Sequence, residues 1–143
     1  MVMYNARFEH EPASGGYTVT FPDFGWGVTQ GDNLADAEKW AGRLLHDMIA
    51  HLIKSNEEIP ETKAKGRRLR PVALAPLDQA KVECYLTFRA SLIRKSELAR
   101  RMRIPKTSID RLFDLDHASR LDQIDAALRA LGKRLVVAVE DAA

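Results

Sequence analysis

Residues 96–113, SELARRMRIPKTSIDRLF, contain the pattern that most restricts how this chain can fold. Apolar residues at helical spacing lie on both sides of a short break, which predicts two short helices joined by a tight turn. A small residue, Ala99, lets the two helices cross closely. The residues predicted to face inward are Leu98, Ala99, Met102, Ile104, Ile109 and Leu112.

The outer face of this predicted helix pair is basic. It carries Arg100, Arg101, Arg103, Lys106 and Arg111. A compact two-helix unit with a basic outer surface can lie on a DNA backbone and place one helix in the major groove. The pattern therefore predicts sequence-specific DNA binding. The alternative is a basic helix surface that is only solvated.

Specific contacts follow from the positions of these side chains. Residues 106–108 form the first turn of the second helix, where the helix N-terminus favours anionic groups, and with Arg111 they are predicted to reach base edges. The start of the first helix is expected to hold phosphates. The predicted DNA-contacting residues are Lys95, Ser96, Arg103, Lys106, Thr107, Ser108 and Arg111.

Two residues of the helix pair carry more particular expectations. Arg103 takes the place in the turn where glycine is common, because the chain needs a left-handed conformation there. A side chain at that place costs on the order of 1 kcal/mol, but it adds a cation near the phosphates. Asp110 can accept from cytosine or pair with Lys106 four residues earlier, and the pair is the favoured interpretation.

Composition limits the classes of protein to which the chain can belong. At 143 residues it has room for one domain or two small ones. A single cysteine, Cys84, excludes an internal disulfide and a cysteine-only zinc site, and its helical position predicts a core residue. No apolar run is long enough to span a bilayer, and the N-terminus lacks a signal-peptide pattern. The expected location is the cytoplasm, with no membrane partner.

Charge is distributed unevenly along the chain. Residues 1–62 hold 4 Lys/Arg and 10 Asp/Glu, a net charge of −6. The run from Lys63 to Arg70 holds five cations and no acid, and residues 76–143 have a net charge of +3. An acidic half beside a basic half suggests two modules with different partners. The basic run can contact nucleic acid or a protein partner, or form a solvated loop, and the loop is slightly preferred.

Hydrophobic periodicity predicts an α+β protein. Alternation around Tyr4–Phe8, Tyr17–Phe21 and Trp26–Val28 predicts three strands in an antiparallel meander. A long helix is expected from Leu34 to about Ser55, with Asn33 as its N-cap. A fourth strand at residues 69–74 belongs at a sheet edge, because its proline cannot donate to a ladder. This β-β-β-α-β module, residues 1–75, is expected to precede a second module.

The second module, residues 76–143, is predicted to be all-α apart from one short strand. A helix begins near Pro76, the helix pair follows, and another helix stops at Gly132. Residues 135–139 are nearly all apolar and predict a terminal strand without a partner in this module. Such a strand invites pairing with a second copy or with another sheet edge. Operators for this motif are usually symmetric, so a homodimer or higher homo-oligomer is expected.

Three short motifs in the first module resemble a known family. The order of the motifs, followed by an acidic helix start, is similar to that of the HicB antitoxins of bacterial HicA–HicB toxin–antitoxin systems. The resemblance covers roughly residues 4–74 and the helix-turn-helix with its flanking helices. The matching motifs are Gly15-Gly16-Tyr17, Phe21-Pro22-Asp23 and Thr29-Gln30-Gly31.

The resemblance implies both a fold and a function. The first module takes a partial RNase H-like fold and blocks a small HicA-like toxin that cleaves mRNA. The second module is of the helix-turn-helix type, binds operator DNA of its own operon and represses it. The chain departs from the family at Gly25 and Trp26, where a Pro-Gly pair is common. Candidate toxin contacts are Asp23, Phe24 and Trp26, although the two aromatics can equally close a small core.

Enzymatic chemistry is not expected. RNase H-type catalysis needs several carboxylates gathered to hold two metal ions, whereas the strands offer only Glu9 and, just after the second strand, Asp23. His46 and His51 are five residues apart, which does not place two metal ligands on one helical face. No cofactor or metal is therefore expected, and a degenerate nuclease is disfavoured. The main alternative is a ligand-responsive helix-turn-helix regulator with an apolar pocket under the long helix.

Overall fold

The computed structural model describes residues 2–142 and confirms an α+β protein. The strands are β1 (Met3–Glu11), β2 (Gly16–Thr20), β3 (Val28–Gly31) and β4 (Leu69–Ala73). The helices are α1 (Leu34–Lys54), α2 (Pro76–Ala90), α3 (Lys95–Met102), α4 (Lys106–Phe113) and α5 (Leu121–Ala130). The chain divides into two compact units, Met1–Gln79 and Ala80–Ala143, so the boundary lies inside α2 rather than just before it.

The first unit contains one antiparallel sheet with the strand order β3-β2-β1-β4. The first three strands form the predicted meander. β4 returns beside β1 and lies at an edge, as Pro71 predicted. Pairing between β1 and β4 runs from Met3 opposite Ala73 to Arg7 opposite Leu69. Beyond Arg7, β1 continues to pair with β2 alone.

Helix α1 covers one face of this sheet. Ala6 and Val19 are fully buried on the sheet side. The helix contributes its apolar stripe, in which Ala37, Leu45 and Ile49 are also fully buried. Each large aliphatic side chain removed from water in this way stabilises the unit by roughly 1.5–3 kcal/mol. The broad apolar face that the sequence predicted for this helix is therefore its packing face.

The start of α1 is fixed by side-chain hydrogen bonds. The Asn33 side chain accepts from the Asp36 amide at 2.9 Å, which confirms the predicted N-cap. The Asp36 carboxylate in turn accepts from the Asp32 amide at 2.9 Å. At the preceding strand end, a Cβ atom on Gly31 would lie 2.3 Å from the amide nitrogen of Ala37. Only glycine allows β3 to pass this close to the helix.

The prediction for the third strand is wrong in its position and in its buried face. β3 begins at Val28, which is 64% exposed, and Trp26 precedes the strand and is 45% exposed. The cause is Gly27, which has a φ of 84° and where a Cβ would meet Met48 Sδ at 2.6 Å. Because the glycine backbone itself packs against α1, its apolar neighbours turn outward and Gly31 takes the buried position.

The second unit consists of helices packed around apolar side chains from each of them. Its fully buried residues include Val82, Leu98, Ile109 and Ile124. Cys84 is also buried, as predicted, and burial raises the pKa of its thiol to about 12. A thiol with this pKa stays protonated and packs as a small apolar side chain.

The chain after α5 differs from the sequence prediction. Gly132 has a φ of 79°, and the amide of Lys133 donates to the Leu128 carbonyl at 2.8 Å, so the helix ends where glycine predicted. The predicted strand at residues 135–139 is wrong for the single chain, which has no regular structure there. A strand needs a ladder partner, and Val136 and Val139 are 73% and 96% exposed instead.

Candidate nucleic-acid and partner-binding surfaces

Helices α3 and α4 are joined by the three residues 103–105. Arg103 has φ 56° and ψ 43°, the left-handed conformation that the sequence predicted for this position. The turn is closed by hydrogen bonds from the Arg103 amide to the Arg100 carbonyl at 3.2 Å and from the Ile104 amide to the Ala99 carbonyl at 3.1 Å. The predicted helix, turn and helix are therefore present, with Leu98 and Ile109 fully buried between them.

The first turn of α4 is open to solvent. Lys106 and Thr107 are exposed, and Ser108 is half-buried. Pro105 occupies the N-cap position, and no side chain caps this helix end. Amide groups at an uncapped helix N-terminus are available to an anion such as a phosphate.

Not all of the basic side chains on the helix pair are available to a ligand. Glu97 accepts hydrogen bonds from Arg100 at 2.8 and 2.6 Å and from Arg101 at 3.1 Å. These hydrogen bonds, with Arg100 first, lower the pKa of Glu97 to about 2, so the carboxylate is charged at neutral pH. Arg101 also donates to the Ala130 carbonyl at 3.1 Å. The two arginines of α3 are therefore already engaged.

The predicted pair between Lys106 and Asp110 is wrong. Asp110 Oδ1 instead accepts from Lys95 Nζ at 2.9 Å, which joins the start of α3 to α4. Because α3 and α4 cross here, Lys95 reaches Asp110, whereas Lys106, one turn before Asp110 on α4, does not pair with it. Lys95, predicted as a phosphate contact, thus has an acidic partner, whereas Arg103, Lys106 and Arg111 form no ion pair among the described residues.

A buried lysine holds the C-terminal end of α4, and the sequence analysis did not predict this role. Lys81 on α2 is fully buried. Its ammonium donates to the carbonyl of Arg111 at 3.1 Å, to those of Asp114 and His117, and to the Ser119 hydroxyl at 3.1 Å. Carbonyls at a helix C-terminus carry partial negative charge, which stabilises a cation there. Lys81 therefore fixes the end of α4 and the loop that follows it.

The signal for Lys81 was present in the periodicity. The residue lies four after Leu77 and three before Cys84, on the face that the apolar pattern of α2 assigns to the core. A lysine at a core position needs several acceptors to compensate for lost hydration. A charged residue inside an apolar stripe therefore indicates a buried polar contact.

The three residues predicted to contact a toxin lie in different environments of the first unit. Asp23 Oδ1 accepts from the amides of Lys63 and Ala64 at 3.1 and 2.9 Å, so this carboxylate holds the loop before β4. Phe24 is buried, with its ring centroid 4.9 Å from that of Tyr4. Trp26 is exposed, and its ring meets His51 edge-on at 5.7 Å. Of the two aromatics, Phe24 closes the core and Trp26 faces outward.

The same loop is held by Tyr4. Its hydroxyl donates to the Pro60 carbonyl at 2.6 Å. Burial, with a smaller effect from the charge of Asp23, raises the pKa of Tyr4 to about 12, so the phenol remains a donor. Asp23 Oδ2 is buried without a hydrogen-bond partner. Asp23 therefore holds the loop before β4, whether or not it also contacts a partner.

Among residues 2–142, no cluster of three or more His, Cys, Asp and Glu side chains is placed to hold a metal ion. His46 Nδ1 lies 2.6 Å from Asp78 Oδ2 in a half-buried pair, while His51 is exposed beside Trp26. Over the same described range, every helix is too short or too polar to span a bilayer.

Residues 3–83 match the family model described as HicB_like antitoxin of bacterial toxin-antitoxin system. Antitoxin HicB of Escherichia coli (strain K12) is 36% identical over 121 residues, which cover 85% of this chain and 88% of that protein. Antitoxin HicB 1 of Photorhabdus laumondii is 32% identical over 126 residues, 88% of this chain and 80% of that protein.

One solved structure is also similar over part of the chain. A chain of a toxin–antitoxin complex from Streptococcus pneumoniae shares 33% identity at a TM-score of 0.41, over 44% of this chain and 45% of that one. From the family model and the relatives, this chain belongs to the HicB-like antitoxin family. Membership confirms the resemblance seen in the sequence and the expectation that the chain is not an enzyme.

Replacing Lys81 tests whether it holds α4. Lys81→Met removes a charged donor from three carbonyls and a hydroxyl, at about 1.5–3 kcal/mol for each hydrogen bond. We expect the free energy of unfolding of the second unit to fall by at least about 3 kcal/mol. Urea unfolding followed by far-ultraviolet circular dichroism measures this loss as a shift of the midpoint to a lower urea concentration. Lys133→Met, at an exposed lysine, is the control, and equal midpoints for the two variants would refute this role.

Proposed function

We propose that this chain neutralises a HicA-like mRNA-cleaving toxin by direct binding and represses its own operon through α3 and α4. Toxin binding is assigned to residues 1–75 and operator binding to residues 76–143. Membership of an antitoxin family supports the first activity. The observation that carries the second is a group of unpaired cations on α4 and the turn before it, with Arg103 and Lys106 at the uncapped start of the helix and Arg111 in its last turn. A ligand-sensing regulator is not favoured, because the face of α1 toward the sheet is closed by buried side chains.

In the proposed operator complex, α4 enters the major groove. Lys106, Thr107, Ser108 and Arg111 contact base edges, and the long cations suit the acceptors of guanine. Arg103, Ser96 and Lys95 contact phosphates and set the register. The Lys95–Asp110 pair limits the charge that Lys95 offers to DNA. Arg103 is therefore the more effective phosphate contact of the two cations.

Operator binding is tested by Lys106→Ala/Arg111→Ala. Two base contacts are lost, each worth about 1–3 kcal/mol, so affinity for the promoter DNA of the operon should fall by about 2–6 kcal/mol. Gel-shift or anisotropy titration at fixed salt measures this change. Arg129→Ala/Lys133→Ala removes two cations from the end of the same unit and should retain specific binding. The proposal fails if both pairs weaken binding equally, or if the first pair also abolishes toxin neutralisation.

The proposed toxin surface includes Trp26. A protein that cleaves RNA must attract phosphates and is expected to be basic, which complements the net charge of −6 over residues 1–62. Exposed tryptophans are frequent anchors at protein interfaces. Trp26 also lies where this sequence departs from the common family pattern, so it is suited to recognising one particular toxin.

The role of Trp26 is tested against a second exposed tryptophan. Trp26→Ala should weaken binding of the toxin from the same operon by about 2 kcal/mol or more, the size of an interface hot spot. Trp40→Ala, at a residue that is 43% exposed on α1, should weaken it less. Calorimetric titration of the purified proteins measures both. Equal losses, or no loss for Trp26→Ala, would exclude Trp26 as the anchor.

A homodimer or higher homo-oligomer completes the proposal. Two helix pairs are needed to read a symmetric operator. The exposed valines of residues 135–139 support pairing of this segment with a second copy, which would supply the strand partner that the single chain lacks. A chain truncated after Lys133 should sediment as a smaller species than the full chain. An unchanged mass would place the dimer contact elsewhere.

A further inference from the structure

The first unit contains a basic cleft whose lining does not include Trp26 or any of the proposed operator contacts. It forms where β1 continues past Arg7, the last residue that pairs with β4. The segment just before β4 closes its other side. The cleft has a volume of about 710 Å³, and its polar lining includes Arg7, Glu9, His10, Lys65, Arg67 and Arg68.

Within the part of the chain that the structure describes, the cations of this cleft form no ion pairs, whereas the cations next to them in the sequence do. Lys63 pairs with Glu61 at 3.1 Å, and Arg70 pairs with Glu38 at 2.9 Å, so the two ends of the basic run are neutralised. Lys65, Arg67 and Arg68 lie between them, are exposed, and form no ion pair with the residues that the structure describes. The same holds for Arg7 on β1. Four unpaired cations thus face one cleft, in a unit that is otherwise acidic.

Aromatic rings lie beside these cations. His10 lines the cleft and packs against Tyr17 of β2, with the ring centroids 5.1 Å apart and the ring planes tilted by 54°. Phe8 also lines it, and the guanidinium of Arg70 lies 5.7 Å from the centre of its ring. A positively charged groove with aromatic side chains along it is the common arrangement for binding single-stranded nucleic acid, whose bases stack on the rings while cations follow the backbone.

We propose that this cleft binds single-stranded RNA. Arg7, Lys65, Arg67 and Arg68 contact the phosphodiester backbone, and an unpaired base stacks on His10. Single strands are favoured over duplex because a base inside a duplex has no free face for the ring. The choice of RNA rests on the proposed function, since the substrate of the toxin is RNA. The antitoxin would then hold RNA in a cleft whose lining does not include Trp26.

The test is a titration of a short fluorescein-labelled oligouridine with the full chain, followed by anisotropy over a series of salt concentrations. Four phosphate contacts predict a slope of about −2.8 for the logarithm of the association constant against the logarithm of salt, at about 0.7 per contact. Arg67→Ala/Arg68→Ala should reduce the size of the slope by about 1.4 and weaken binding on the order of tenfold at low salt. Arg67→Lys/Arg68→Lys keeps the charges and should bind as the wild type.

Two controls separate the cleft from other basic surfaces. Lys63→Ala removes a paired cation from the same run, and Lys106→Ala/Arg111→Ala removes the cations of α4; each should change oligouridine affinity by less than about twofold. The proposal is overturned if either control matches the loss in Arg67→Ala/Arg68→Ala. It is also overturned if an RNA duplex or a polyglutamate peptide binds as tightly as oligouridine.

The proposed function can fail independently of this site. A wild-type chain that binds oligouridine through Arg67 and Arg68, but does not neutralise the toxin of its operon, contradicts the antitoxin activity and leaves the cleft assigned. A chain that neutralises the toxin without binding oligouridine contradicts the cleft alone.

Discussion

One buried ammonium, that of Lys81, donates to three carbonyls of α4 and its following loop, each of which also accepts from a backbone amide. Hydrogen bonds from a charged donor of this kind contribute about 1.5–3 kcal/mol each. The ammonium also fixes the direction in which α4 ends. The exposed first turn of that helix can present cations to a ligand because its other end is held in this way.

The first unit meets the same requirement with different side chains. Asn33 satisfies an amide at the start of α1, and Asp23 satisfies two amides of the loop that leads to β4. The loop held by Asp23 continues directly into Lys65, Arg67 and Arg68. A carboxylate first considered as a partner contact thereby anchors one side of the basic cleft. In both units, a polar side chain that satisfies backbone groups positions the cations a few residues away.

Ion pairs in the structure show which cations are free to bind an anion, and the position of a basic residue in the sequence does not. The basic residues of α3 and α4 look equivalent in the sequence, yet Glu97 engages Arg100 and Arg101. The run that contains Lys65 is divided in the same manner, because ion pairs neutralise both of its ends. Exposed pairs of this kind contribute little to stability, but they reduce the positive potential available to a phosphate. The unpaired cations are therefore the ones that we expect to bind phosphate groups.

Periodicity, caps and turn residues were sufficient for most of the local structure. The hydrophobic repeat and Asn33 located α1, Pro71 placed β4 at an edge, and Gly132 ended α5. These features depend on interactions within a few residues, so they can be read from the sequence. The order of the motifs likewise identified the antitoxin family.

Tertiary structure alone decided which side chains meet. Gly27 approaches α1 so closely that Trp26 and Val28, on either side of it, turn outward, against the alternation that the sequence predicts. Asp110 pairs with Lys95 across the helix crossing and not with Lys106 one turn away. The terminal valines form no strand, because strand formation requires a partner that local sequence cannot provide. In each case the deciding contact joins residues whose separation in space is set by packing, and local sequence preferences do not encode that distance.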